Sequence, residues 1–231
     1  MGYTIPLALQ DYMTVIFSGC ALGLLTRMTW EIDEKLGRMA LIGTGLALVG
    51  GLLKATGKLT LAAGGPDIVF MNRGLFVFVA PGFTLVGWAL YQVRRIFRNQ
   101  APLRNPWIVP IAVIGVFALG SFGLSMVGGP WRVPLIMLAT IANIGLLGML
   151  VTAAWGRKMW GTGALFLCTI TIVLVMSQMA EIENPSIATV WFMQLSQTLA
   201  QLLFTIGAWQ YGKFMLATYR EEQQQFVAQP A

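Results

Sequence analysis

Histidine is absent from the 231 residues, and only 10% of them are charged. A bis-histidine haem, a histidine-ligated zinc ion and a histidine general base are therefore excluded. The only cysteines, Cys20 and Cys168, lie in apolar segments, so we expect no disulfide. Serine-nucleophile and phosphate-loop patterns are also missing, because the GTG sequences at 43–45 and 161–163 lie in apolar runs and indicate close helix packing. These absences remove the commonest enzyme chemistries.

Long hydrophobic runs make up most of the chain, which is 57% hydrophobic. Each run is about as long as the ~20 apolar residues that a helix needs to cross the hydrocarbon core of a bilayer. The predicted spans are 12–26, 39–57, 75–93, 106–131, 133–156, 159–180 and 187–212. The sequence therefore predicts an all-α membrane protein with a seven-helix bundle in one transmembrane domain, 1–218, and a solvated C-terminal tail, 219–231. Residues 2–10 contain no Lys or Arg, so we expect no cleaved signal peptide.

Lys and Arg are distributed unevenly between the two sides of this predicted bundle. The segments after the first, third, fifth and seventh spans hold eleven of the 15, and the other side holds Lys54, Lys58, Arg73 and Arg132. Because cationic loops stay in the cytoplasm, we expect the N-terminus outside and the C-terminus in the cytoplasm, in the bacterial inner (plasma) membrane. The net charge of +6 then reflects loops held against anionic lipid, so lipids and not nucleic acid are the expected partner.

The loop between the second and third spans is the longest one predicted outside. Its β-prone arms, residues 59–61 and 68–70, flank a Gly-Gly-Pro-Asp sequence, which is typical of a tight turn. The pattern predicts a short hairpin over the outer mouth, which is the end of the bundle that is predicted to face outside. The alternative is an irregular loop.

Two proline positions mark the third and seventh spans. Pro81 and Gly82 interrupt the third span, where a proline frees a carbonyl and bends the helix. We interpret them as a hinge, with a simple packing kink as the alternative. The seventh helix is predicted to begin with Asn184 as N-cap and Pro185 in its first turn, and to run to about Tyr219.

Three short matches suggest an internal repeat. They pair LGLL at Leu22 with IGLL at Ile144, GTGLAL at Gly43 with GTGALFL at Gly161, and GWALY at Gly87 with GAWQY at Gly207. The matches occur in order at offsets of about 120 residues, which favours a three-plus-one-plus-three arrangement of the helices.

This layout resembles that of microbial rhodopsins and of small parallel-repeat sugar transporters. A retinal protein needs a lysine in the middle of the seventh helix, but that region reads QLSQTLAQLLF and Lys213 lies only at its end. The Pro-Gln pair of the sugar transporters is also missing, so the resemblance stops at the architecture.

Polar residues recur along one face of the seventh span. They are Gln194, Gln197, Thr198, Gln201 and Thr205, spaced three or four residues apart. Amides in a bilayer face inward, where they hydrogen-bond other helices or line a polar cavity. The predicted ligand-binding set adds Gln178 on the sixth span, Asn143 on the fifth, and Trp88 and Trp209 as walls. No metal ligand or identified cofactor belongs to this set.

Charges of both signs are predicted at the outer mouth. Asp11, Asp67, Glu181 and Glu183 lie there with Lys54, Lys58 and Arg73. We interpret them as exposed pairs that stabilise the fold little, with Lys54 reaching toward the interface. A cation site built from Glu181, Glu183 and Asp67 is an alternative.

These features favour a non-enzymatic membrane protein that binds or translocates a small neutral or lipophilic molecule through a polar interior. The alternative is a structural or assembly subunit of a larger membrane complex or homo-oligomer, for which Gly19 and Gly23 offer small-residue contacts. A third class is a lipid-directed enzyme acting through Glu181 or Glu183.

Overall fold

The computed structural model describes residues 4–100, 103–179 and 186–228. The described segments form helices joined by turns and short loops. The helices are α1 (Ile5–Ile32), α2 (Glu34–Ala62), α3 (Val69–Arg73), α4 (Leu75–Ile96), α5 (Ile108–Met126), α6 (Arg132–Gly156), α7 (Trp160–Met179) and α8 (Ile187–Ala228). Seven are long, and α3 is a short helix in front of α4.

Six helical segments of the described chain are long and apolar enough to cross a membrane. They are α1, α2, α3 together with α4, α5, α6 and α7. The chain is therefore all-helical and has the composition of an integral membrane protein, as predicted. The seventh predicted span corresponds to α8, which is long enough but is not among the six.

Six of the long helices form a closed ring. Going round it, α1 packs against α2, α2 against α4, α4 against α6, α6 against α7, α7 against α8, and α8 against α1. Helix α5 lies outside the ring against α6 and α4. Its outer residues Val116, Leu119 and Phe122 are more than three-fifths exposed, as expected for side chains that contact lipid. Cys20 and Cys168 are free and exposed, so they form no disulfide.

The turn between α1 and α2 is a single residue, Asp33. Its side chain accepts a hydrogen bond from the Leu36 N–H at 2.9 Å and so caps α2. A cap of this kind satisfies one of the free N–H groups at the start of a helix. The chain can therefore reverse direction here without a longer loop.

The predicted hairpin after α2 is wrong. Residues 59–61 form the last turn of α2, and Val69 already belongs to α3. Gly64 has a positive φ of 80°, and the Gly65 N–H donates to the Thr60 carbonyl at 2.9 Å. The glycine pair therefore ends a helix, because a Gly in the left-handed region closes a helix as readily as it forms a hairpin turn.

Helix α8 has 42 residues and is about 63 Å long. It continues to Ala228, past the predicted end at Tyr219, because the residues that follow are good helix formers without Gly or Pro. Arg220 pairs with Glu31 of α1 at 2.7 Å, which holds this extension against the end of α1. The predicted cap and first turn, Asn184 and Pro185, lie outside the described residues.

A large apolar core fills one half of the ring. Its members come from all six ring helices and include Leu22, Leu25, Ala47, Leu90, Leu146, Leu150, Phe166, Phe204 and Met215. This core lies toward the end of the bundle where α1 and α4 finish. The other half of the ring contains the cavity described below.

A close helix crossing joins Gly43 of α2 and Gly82 of α4. A Cβ atom at Gly43 would lie 2.6 Å from the Gly82 carbonyl oxygen, and one at Gly82 would lie 2.7 Å from the Gly43 carbonyl oxygen. Small residues let two helix backbones approach this closely. Gly43 of the first GTG sequence therefore has the predicted packing role, whereas Gly45 has no close neighbour.

We expect Gly43→Ala to destabilise the fold by about 1–3 kcal/mol, because α2 and α4 must separate to admit the methyl group. Gly45→Ala is the matched control, since a Cβ there has no neighbour within 4 Å. Alanine at that position should be neutral or stabilising by up to about 1 kcal/mol. Thermal unfolding in detergent measures both changes, and equal midpoints for the two variants would contradict the close crossing.

Candidate functional site

A cavity of about 530 Å³ lies between α1, α2, α4, α7 and α8. It occupies the end of the bundle where α1, α4 and α8 begin and where α2 and α7 finish, which we call the cavity end. Its polar lining comes from Asp11, Thr14, Ser18, Lys54, Lys58, Ser177, Gln194, Gln197 and Gln201. Its apolar lining includes Val15, Leu48, Phe76, Val79, Phe83, Val173, Met176 and Met193. The cavity therefore offers polar groups and hydrocarbon walls to the same occupant.

The three glutamines of α8 face this cavity. Gln194, Gln197 and Gln201 are three and four residues apart on a continuous helix, so they share one face. No side-chain hydrogen bond joins any of the three amides to another residue in the described part of the chain. Their donors and acceptors are therefore left for water or a ligand in the cavity.

Asp11 and Lys58 form an ion pair at the cavity wall. The Lys58 Nζ lies 2.5 Å from the Asp11 Oδ2, and the side chains are only 13% and 15% exposed. The prediction of an exposed pair is therefore wrong, because α1 and α2 enclose both side chains. Removing one partner of a pair this well enclosed strongly destabilises the fold, because the other charge is left buried without a partner.

Lys54 lines the same wall and is half-buried. It forms no ion pair with any residue that the structure describes. An enclosed ammonium group needs a hydrogen-bond acceptor, because desolvation of the charge is costly. Lys54 therefore lines the cavity, and its reach to the interface stays a prediction.

The threonines of the predicted polar face have a different role. The Thr198 hydroxyl accepts from the Gln10 amide at 3.0 Å and lies 2.9 Å from the Thr14 hydroxyl. The Thr205 hydroxyl lies 2.7 Å from the Phe17 carbonyl, to which it can donate. Both residues join α8 to α1, and neither lines the cavity. The polar face thus divides into cavity-lining glutamines and interface threonines.

Four other predicted ligand-binding residues lie away from the cavity lining. Gln178 is exposed near the end of α7, and Asn143 is half-buried on α6. Trp209 is 54% exposed on the outer face of α8, with the Lys213 ammonium 5.8 Å from its ring centroid. Trp88 packs on Tyr91, with ring centroids 5.3 Å apart. The structure therefore does not bring these four residues together with the glutamines.

The predicted hinge residues lie in the part of α4 that forms the cavity wall. Pro81 is inside α4, and its missing N–H leaves the carbonyl one turn earlier without its helical partner. Gly82 lies at the close crossing with α2. Gly82 therefore has a packing role in this conformation, and the hinge stays a prediction.

The cavity ends against the apolar core. Its deepest residues include Ser18, Phe83 and Gln201. One turn further along the helices lie Leu22 and Phe204, which are 0% and 3% exposed. The described structure is therefore closed between the cavity and the opposite end of the bundle.

The described residues contain no group of three or more Cys, Asp or Glu side chains that could hold a metal ion. Glu181 and Glu183 of the predicted cation site lie outside the described residues. The arrangement supplies hydrogen-bonding groups, one cation without a described ion pair, and apolar contact. These are the properties of a binding site for a small molecule.

Sequence reasoning placed Lys54, Lys58 and Asp11 near the cavity but on its exposed rim. Helical spacing shows that Gly51, Lys54 and Lys58 share one face of α2 with Ala55. It does not show that α1 covers this face, so the enclosure could not be predicted from the sequence.

Compared with protein-family models, with curated proteins and with solved structures, the chain matches none of them.

We predict that Thr198→Val lowers stability by about 0.6–1.7 kcal/mol, because Gln10 and Thr14 lose their shared partner in the α1–α8 interface. Thr171→Val is the control, since the Thr171 hydroxyl is exposed and bonds only the Leu167 carbonyl of its own helix. Unfolding of both variants in mixed micelles measures the difference. A Thr198 variant as stable as the Thr171 variant would show that this junction contributes nothing.

Proposed function

We propose that the chain is a non-enzymatic, heptahelical membrane protein that binds or passes a small lipophilic molecule in its central cavity. One observation supports this most directly: the amides of Gln194, Gln197 and Gln201 face a cavity whose remaining walls are mostly apolar. Hydrogen-bonding groups without protein partners are costly in such a place unless a ligand or water uses them.

The size of the cavity fits this proposal. Ligand sites in proteins are commonly about 300–1,000 Å³, with mainly apolar walls and few polar groups. The volume here is about 530 Å³. Phe76 and Phe83 on α4 would contact the apolar part of a ligand, and the glutamines on α8 would bind its polar part.

Lys54 adds a preference to the neutral or lipophilic ligand expected from sequence. Asp11 is already paired with Lys58, so the lining keeps one cation without a described ion pair. An ammonium group favours a hydrogen-bond acceptor such as a carbonyl, hydroxyl or carboxylate oxygen. A lipophilic molecule with one such group matches the lining best.

A ligand can bind in the cavity without a conformational change of the bundle, whereas its passage through the bundle requires one. The apolar core below Ser18 and Gln201 separates the cavity from the other end of the bundle. Transport would therefore require a second conformation, and Pro81 in the α4 wall is our proposed hinge for it.

The proposal includes α8 as the seventh span. Its polar face is turned inward, and its outer face carries exposed apolar residues: Phe192, Leu195, Leu199, Ile206 and Trp209. The glutamines of the inner face lower the mean hydropathy of α8, so this average does not reveal the apolar outer face that we propose contacts lipid. With α8 across the membrane, the uneven distribution of Lys and Arg supports an outside N-terminus in a plasma membrane such as the bacterial inner membrane.

The ring also supports the proposed three-plus-one-plus-three repeat. Helices α1, α2 and α4 are consecutive neighbours, as are α6, α7 and α8. The two triplets meet through the α4–α6 and α8–α1 contacts, and α5 lies outside. A duplication joined by one extra helix gives this arrangement.

We expect Gln197→Leu and Gln201→Leu to reduce the amount of co-purifying small molecule about 10-fold or more, since each removes hydrogen bonds in a partly desolvated site. Gln178→Leu removes the same amide outside the cavity and should retain the molecule. The measurement is mass spectrometry of extracts from protein purified in native lipid discs, with thermal midpoints showing that all three variants fold.

Wild-type occupancy in both cavity variants would place the site elsewhere and contradict the proposal. A wild-type preparation that carries no small molecule but a stoichiometric membrane protein would favour the alternative, a subunit of a larger complex. The two results are distinguishable in one preparation.

A further inference from the structure

A second, smaller pocket of about 180 Å³ lies at the opposite end of the bundle from the cavity. It is formed where α4 and α6 finish, against the side of α8. Three arginines line it: Arg94 and Arg98 from the end of α4, and Arg157 from the end of α6. Phe97 and Met215 supply apolar wall. We call this set of residues the arginine pocket.

Most donor groups of these arginines have no hydrogen-bond partner among the described residues. Arg94 donates to the Thr152 hydroxyl at 2.9 Å, and Arg157 lies over the Phe97 ring, 4.8 Å from its centroid. The other contact of Arg157 is with the Met215 sulfur, a weak acceptor, at 2.8 Å. Each guanidinium has five N–H donors, so many remain for an anion in the pocket.

No described carboxylate neutralises this cluster. The acidic residues described toward this end are Glu31, Asp33, Glu34, Glu221 and Glu222. Glu31 pairs with Arg27 and Arg220, and Glu34 pairs with Arg38. None of the five forms a described ion pair with an arginine of the pocket.

The arginines of the pocket also repel one another, since the charges of Arg98 and Arg157 act on Arg94.

We propose that the arginine pocket binds a phosphate group, with the headgroup of an anionic lipid as its source. Guanidinium groups match phosphate oxygens in geometry and charge. The pocket lies at the helix ends, where headgroups are found, and its rim residues Thr152 and Gly156 are exposed. Basic pockets between membrane helices bind lipid headgroups in this way. This site is separate from the central cavity and does not depend on what the cavity binds.

The test uses the full chain in phosphatidylcholine discs with and without phosphatidylglycerol. We expect phosphatidylglycerol to raise the thermal midpoint of the wild type and to remain bound in native mass spectra. Arg94→Gln, Arg98→Gln and Arg157→Gln should each weaken retention about fivefold or more, since one cation near the headgroup is lost. Arg104→Gln is the control, because Arg104 is exposed outside the pocket. If the Arg94 variant does not fold, the exposed Arg98 gives the same test.

A second arm distinguishes the source of the phosphate. Inorganic phosphate and glycerol phosphate are added to protein in dodecyl maltoside. We expect neither to raise the midpoint as phosphatidylglycerol does. Equal stabilisation by these soluble anions would overturn the lipid source. The site itself would be overturned if phosphatidylglycerol did not raise the thermal midpoint of the wild type. It would also be overturned if Arg104→Gln lost as much bound phosphatidylglycerol as the pocket variants.

Discussion

Amide side chains cannot face hydrocarbon without losing the hydrogen bonds that water gives them. In the proposed heptahelical bundle this constraint orients α8, whose Gln194, Gln197, Thr198, Gln201 and Thr205 lie on the side turned toward the other helices. The threonines find partners on α1, as Thr198 does with Thr14. Gln194, Gln197 and Gln201 find none among the described side chains and line a cavity instead. The cavity, its wall residues and its proposed ligand all depend on this one face.

The two ends of the bundle differ in chemistry. At the cavity end, lysines and amides surround an open space, with Lys54 as the cation that has no described ion pair. In the other half, Leu22, Leu150 and Phe166 fill the ring with apolar side chains. Beyond this core lies the arginine pocket at the helix ends. Such a division fits a protein that accepts a ligand at one end and rests on lipid headgroups at the other.

The length of the apolar runs predicted the helices well, since each run is long and interrupted by charges only near its ends. The face shared by Gln194, Gln197 and Gln201 followed from helical spacing alone. The enclosure of Lys58 with Asp11 did not, because it depends on how α1 and α2 pack and not on either segment. The outward position of Trp209 could not be predicted from the sequence either, since an aromatic ring within a span can face lipid or a cavity. Glycine after an apolar run was also ambiguous, and Gly64 ends a helix where we predicted a hairpin.

The most direct test is thiol labelling along α8 in protein whose Cys20 and Cys168 are replaced by serine. A membrane-impermeant thiol reagent should react with Gln197→Cys, which the account places beside a hydrated cavity. It should not react with Leu195→Cys, whose position is 54% exposed on the outer apolar face. An anionic reagent should react faster than a cationic one of the same size, because Lys54 lines the same space. Rapid labelling at position 195 with none at position 197 would contradict the account.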